Sequence, residues 1–294
     1  MVEISKLGKA NIISIQSCVS YGHAGNSSAV FPMQRLGYNV SPVHTVLFSN
    51  HTGYGDWGGE IIDTKIVSSV IDGIEKRGVF PITSAIVSGY MGTTELGDII
   101  LDTDKRVKKA NSDAIYVCDP VFGDVGRGIF VNKELPDYFR DFVIPECDIC
   151  TPNMFELEYL TNTKVKTIDE AINSARTLLN KNCKSVLVTS LEHEKTEADT
   201  IEMLAVQSDK AFHIKTKKLE MPISPNGSGD ATTALFVCHY LENKGDMKTT
   251  LEKTTSGIYE IFDTTKKSGT RELQIVASGD KLVKPEHIFT AEQI

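Results

Sequence analysis

The amino-acid sequence predicts an α/β protein: a largely parallel central sheet, helices on both faces, and some antiparallel strands at an edge. Three observations carry this. Short apolar runs alternate with longer amphipathic segments over roughly the first 190 residues, the rhythm of strand–helix–strand units. The strand-like runs are short and the helical segments between them longer, as in a largely parallel sheet covered by helices on both faces. Beyond that point two strand-like runs, 200–207 and 211–217, are separated only by Ser208-Asp209-Lys210, which reads as an antiparallel hairpin.

In chain order, a strand at 12–15 precedes a helix at 27–36, and a strand at 40–48 precedes a helix at 61–76. Strands at 85–87 and 114–117 lead to helices at 94–110 and 133–142. The strand at 148–150 opens onto Asn153, a good N-cap with Glu156 at the capping-box position. A helix at 167–180 and a strand at 185–189 follow, and after the hairpin come a glycine turn and helices at 230–242 and 247–265. No repeat, low-complexity tract or linker rich in Pro, Gly and Ser divides the chain, so one domain over 1–294 is expected.

Composition narrows the function classes. Of 294 residues, 40% are hydrophobic, enough for an ordinary core, and 39 acidic against 31 basic residues give a formal charge of −8. No general basic field exists to attract nucleic acid or an anionic membrane. The lysine groups 215–218 and 266–267 are short and read as solvated faces. No run approaches the roughly 18 apolar residues of a membrane helix, and the N-terminus lacks the basic-then-apolar pattern of a secretory signal. A cytoplasmic protein with six reduced cysteines is therefore expected. Cys147-Asp-Ile-Cys150 has CxxC spacing, but no second pair or neighbouring histidine completes a zinc site, so these are read as structural thiols.

In a parallel sheet, ligands bind outside the carboxyl ends of the strands, and polar, glycine-broken segments follow the strands of this chain. Ser14-Ile-Gln-Ser17 and Tyr21-Gly-His-Ala-Gly-Asn26 follow the first, Phe48-Ser-Asn-His-Thr-Gly-Tyr54 the second, and Ser88-Gly-Tyr90 the third. His51 is either a donor to a ring oxygen or a loop-holding residue; Tyr90 either covers a flat ring or packs the edge. Cys118-Asp119-Pro-Val-Phe-Gly-Asp124 begins a glycine-rich stretch, about 120–131, that reads as a mobile loop able to exclude water. Asp119 and Glu156 are candidates for a magnesium region, and Thr189 and Ser190 end another strand with hydroxyls. The run Gly227-Ser228-Gly229-Asp230 before an apolar helix combines converging N–H groups and a helix dipole with a carboxylate. Such an arrangement either binds an anion and takes a proton from an attacking hydroxyl or is a plain helix cap at Asp230, the commoner meaning of the run taken alone, and one residue can serve both roles.

These segments resemble the pyridoxal kinases of the ribokinase-like superfamily across essentially the whole chain. Gly-x-Gly-Asp is shared widely in that superfamily, whereas 14–17, 21–26 and 48–54 carry the likeness to vitamin B6 kinases. The resemblance implies a three-layer α/β/α fold and MgATP-dependent phosphorylation of the 5′-hydroxymethyl of pyridoxal, pyridoxine or pyridoxamine. It implies Asp230 as catalytic base and Gly227, Ser228 and Gly229 as anion hole. Ser17, His51, Thr52 and Tyr90 would meet the pyridine ring, and Asp119, Asp124, Thr151, Asn153, Glu156, Thr189 and Ser190 would form the ATP and metal region. Family members are typically homodimers, and many use potassium beside magnesium. Ser228 stands where threonine is usual, and the charged stretch 191–200 near the expected adenosine pocket has no clear counterpart. A hydroxymethylpyrimidine kinase and a non-catalytic B6- or nucleotide-binding protein are the alternatives.

Overall fold

The computed structural model describes residues 9–179 and 183–294. From the N-terminus it runs β1 Lys9–Val19, α1 Asn26–Arg35, β2 Tyr38–Phe48, β3 Gly59–Ile61, α2 Thr64–Lys76, β4 Thr83–Ser88, α3 Thr94–Ala110 and β5 Ile115–Cys118. Next come β6 Gly123–Asp124, β7 Gly128–Ile129, α4 Leu135–Tyr138, β8 Ile149–Cys150, α5 Met154–Thr161, α6 Ile168–Leu179 and β9 Ser185–Leu191. The chain closes with β10 Thr200–Val206, β11 Ala211–Lys217, α7 Ser228–Glu242, α8 Met247–Ser268, α9 Gly279–Val283 and β12 Glu292–Gln293.

Ten strands form one sheet in the order β12-β11-β10-β9-β8-β5-β4-β1-β2-β3. Six are parallel, from β9 across to β2. Antiparallel strands complete both edges: β3 beside β2, and β10, β11 and β12 beyond β9. The strand period of two sorts side chains cleanly between two apolar layers. Ile13, Ile15, Ile86, Tyr116, Cys150, Val186 and Val188 face a layer closed by α2 to α6. Ile12, Ala85, Val87, Val117, Ile149 and Leu187 face one closed by α1, α7, α8 and α9. This is the expected three-layer α/β/α sandwich.

Local chemistry sets the helix ends. The side chains of Asp63, Thr93 and Asp246 cap α2, α3 and α8, and Gly269 ends α8 in the left-handed region. Some expected boundaries shift. Ile61 belongs to β3, opposite Val46, so α2 starts only after its Asp63 cap. The helix expected at 133–142 is one α turn opened by Pro136, continued as a wider π turn at Phe139–Val143. Asn180, the expected end of the helix at 167–180, lies outside the described residues. The stretch expected to be a mobile loop holds a small hairpin of β6 and β7. All six cysteines are free thiols; Cys147 and Cys150 are buried in the core.

Candidate active site

The parallel strands deliver their carboxyl ends to one edge. The chain leaves β1 to one side for β2 and returns on the other side for β4, which puts the topological switch point at the end of β1. The glycine turn sits here. Gly227 has φ 78° and is the N-cap of α7, so the helix begins at Ser228. A Cβ on Gly227 would lie 2.1 Å from the His23 carbonyl oxygen, so the close approach of the two loops as well as the positive φ requires glycine. Ser28 Oγ donates to the Gly227 carbonyl at 2.7 Å, pinning the turn to α1. The first N–H to bond within the helix is that of Ala231, to Gly227 O at 3.1 Å. The N–H groups of residues 228–230 precede it, the position at which helices bind anions.

Asp230 corrects one expectation. It does not cap α7; a left-handed glycine does, and Asp230 occupies the first turn. Its Oδ2 accepts the Gly25 N–H at 2.8 Å, which ties it to the loop after β1. Burial raises its pKa from the usual carboxylate range, opposed by that N–H. Asp230 is therefore a better proton acceptor than its helix N-terminal position alone predicts.

Asp119, directly after β5, is buried beside the turn: a Cβ on Gly229 would lie 3.6 Å from its Oδ2. Thr233 Oγ1 donates to that oxygen at 3.4 Å and is itself 2.8 Å from Thr151 Oγ1. Burial and the charges of Glu156 and Asp230 push Asp119 well above the ordinary carboxylate range. Glu156 is also buried, and burial pushes it up to about 8. Its oxygens accept the N–H groups of Phe122 at 3.1 Å, Gly123 at 3.4 Å and Asn153 at 2.9 Å. Asn153 Oδ1 returns the bond to Glu156 N at 2.9 Å, completing the capping box, and its Nδ2 donates to Gly123 O at 2.8 Å. These carboxylates repel one another, and a divalent cation would relieve that. The donor set fits magnesium: Asp119 has oxygen to offer directly, whereas the amide bonds of Glu156 suit contact through water.

Other expected residues divide. Thr189 bridges to Asn153 and donates its N–H to Pro152 O at 2.9 Å, beside this cluster. Ser190 is exposed with φ 51°, where the β9–β10 register shifts. Asp124 is exposed at the hairpin tip, accepting from Val125 N at 2.7 Å, and the structure does not bring its carboxylate into contact with Asp119. On the ring side, Ser17 lies against Gly25, and Gly89 approaches Gln16, bringing Tyr90 to the end of β1. His51 caps the turn Thr52–Tyr54, its Nδ1 accepting from Gly53 N at 3.0 Å. Burial and the charges of Arg127 and Arg271 hold its pKa down. The neutral ring then carries its proton on Nε2, so His51 can hold its loop and still donate outward.

Two features were missed in the sequence. Lys217, Lys218 and Lys266, from the two groups read as solvated faces, border one cleft of about 420 Å³ with Ala198, Asp199 and Glu220. Lys266 and the 217–220 segment, 46 or more positions apart in sequence, converge there because β11 and α8 both end at the site edge. Arg271 and Glu272, which follow α8, touch both ring-side loops. Among the described residues, the one cluster of three metal-ligating groups, Glu260, Asp263 and His287, includes no site residue, and lysines already pair its carboxylates.

Comparison with known proteins bears on the fold and the family. The family model described as phosphomethylpyrimidine kinase matches residues 62–275. The pyridoxal kinase PdxY of Corynebacterium diphtheriae is 46% identical, over 97% of this chain and 99% of its own length. A crystal structure of pyridoxal kinase from Entamoeba histolytica superposes with TM-score 0.86 at 27% identity, covering 97% of this chain and all of that one. The fold is shared with pyridoxal kinase from Leishmania donovani in complex with ADP and pyridoxamine, at TM-score 0.89 and 24% identity, covering 97% of this chain and all of that one. Fold and site define a small-molecule kinase of the ribokinase-like class. Within it, the chain belongs to the pyridoxal kinase family.

Proposed function

We propose that this protein transfers the γ-phosphate of ATP to the 5′-hydroxymethyl of pyridoxal, and of pyridoxine and pyridoxamine, releasing ADP and the 5′-phosphate. The observation that carries the reading is the meeting of the 227–229 turn, Asp230 and Asp119 at the end of β1, beside the loops that resemble B6-binding segments. Asp230 takes the hydroxyl proton as the substrate oxygen bonds to the γ-phosphorus and the bond to the β-phosphate oxygen breaks. The N–H groups of the turn hold the transferring phosphoryl group; positioning and charge neutralisation supply most of the acceleration. Magnesium, held by Asp119 and through water by Glu156, would neutralise phosphate charge, and potassium would assist in the same region.

Ser17, His51, Thr52 and Tyr90 would enclose the ring; Thr151, Asn153, Thr189 and Ser190 would line the nucleotide side, with the lysine cleft beyond. The β6–β7 hairpin, carrying Asp124 and Arg127, would close over the phosphates. The whole chain would act as one domain. Exposed Leu47, Trp57, Ile61 and Ile66 around edge strand β3 support a homodimer, and six free thiols support a reducing, cytoplasmic setting.

A kinase for hydroxymethylpyrimidine is the second reading, favoured by the description of the family model. That match begins at residue 62, however, and omits the ring-side segments 14–26 and 48–54. A coupled ADP-release assay with the three vitamers and hydroxymethylpyrimidine, with and without potassium, separates the readings. The B6 vitamers should turn over faster than hydroxymethylpyrimidine. Turnover confined to hydroxymethylpyrimidine would replace the proposal, and no phosphorylated product from any of them would leave a binding protein.

A further inference from the structure

We infer that Glu272 is a positioning residue that sets the two ring-side loops and, through them, the Asp230 carboxylate. The inference rests on the kinase reading. Two features hold the backbone at Glu272: Leu273 and Ile275, which follow it, are fully buried in the layer of α7 and α8, and the Glu272 carbonyl accepts from Thr270 Oγ1 at 3.0 Å and Gln274 Nε2 at 3.1 Å. With its backbone held, the carboxylate reaches both loops. Oε2 accepts the His23 N–H at 3.0 Å, and Oε1 accepts the Tyr54 hydroxyl at 2.7 Å. A Cβ on Gly22 would lie 2.1 Å from Oε2, so the carboxylate packs directly against the backbone of the first loop.

Arg271 reinforces the second loop. Its guanidinium lies 3.7 Å over the Tyr54 ring and donates to the Gly53 carbonyl at 2.7 Å. Thr52 and His51 stand at the head of that turn. In the first loop, Gly25 follows His23 by two residues and gives its N–H to Asp230. A single carboxylate thus spans the loop that carries His51 and Thr52 and the loop that orients Asp230. Charge-assisted hydrogen bonds are about twice as strong as neutral ones, and small misplacements at a reacting centre cost large factors in rate. Glu272 touches no reacting atom, so its effect should appear first in pyridoxal affinity.

The test compares wild type with Glu272→Ala, Glu272→Gln, Tyr54→Phe and the Glu272→Ala/Tyr54→Phe double variant. The readouts are KM for pyridoxal and for MgATP, kcat, pyridoxal affinity by equilibrium titration, and hydrogen exchange of segments 20–26 and 50–56. Glu272→Ala should raise KM for pyridoxal about tenfold and lower kcat severalfold, with KM for ATP within about twofold. Exchange should quicken in both segments. Glu272→Gln, which keeps one acceptor, should lose about threefold, and the double variant should be no worse than Glu272→Ala. Equal rises in both KM values, or pyridoxal KM and affinity within about twofold of wild type, would overturn the inference. Wild type inactive on every vitamer would instead overturn the kinase reading, while titration and exchange would still decide the role of Glu272.

Discussion

The two ends of α7 hold ionisable groups in opposite ways. At its C-terminal end Glu242 lies between Lys9 at 2.7 Å and Lys253 at 3.3 Å, and these partners hold its carboxyl down to about 2. One turn earlier His239 is buried, and burial holds it down to about 4, so it stays neutral. At the N-terminal end Asp119, Glu156 and Asp230 are raised by burial, with hydroxyl and amide donors in place of lysine or arginine partners. One end is arranged for stability. The other holds negative charge that a metal–phosphate ligand would balance, and this costs the folded chain free energy.

The contrast breaks most sharply at Asp230. Asp230→Asn should lower kcat by about a thousandfold or more, the scale of losing a positioned base, while ATP and pyridoxal binding persist. Melting temperature should hold or rise, because a buried charge is removed; substantial kinase activity in the folded variant would refute the role. Gly227→Ala should act on both stability and activity. With φ at 78° and the His23 carbonyl in the way, it should cost about 2 kcal/mol or more in denaturant titration and reduce kcat/KM about a hundredfold.

The other end should respond through stability alone. The unfolded chain binds a proton at His239 near pH 6.5, the folded chain only near pH 4. Between those values the unfolded state holds more protons, so stability from this group falls as pH falls, by about 3 kcal/mol over the window. Urea titrations from pH 7 to 4 should show wild type losing that much relative to His239→Gln, whose activity at neutral pH stays near wild type; parallel pH profiles would break the comparison. Glu242→Gln should have the smallest effect, about 1 kcal/mol, because its side chain is 37% exposed and screened by solvent. A kinetic change in Glu242→Gln would mean that the two ends are coupled.

Much of this was legible in residue order. Short, mainly apolar runs such as 12–15 and 185–189 read as strands, and Asn153 with Glu156 read as a capping box, because strand pattern and capping are local properties. Boundaries failed where a neighbour decided: Ile61 is a strand residue because Val46 offers it an edge, and Asp230 is not a cap because His23 packs against Gly227. The lysines of 215–218 and 266–267 looked alike as solvated runs. Lys215 and Lys267 pair with Glu197 and Asp263, while Lys217, Lys218 and Lys266 share a cleft. Nothing in a charged pair such as Arg271-Glu272 announces a partner some 218 to 249 positions away.

Local sequence thus carried the order of strands and helices, the Gly-x-Gly-Asp turn and the kinase resemblance, since periodicity and φ preference act over a few residues. Folding alone decided which carboxylates became basic, which lysines became a cleft and which loops Glu272 joined. Desolvation and hydrogen bonding depend on what surrounds a group in space, and the end of β1 gathers residues from both ends of the chain.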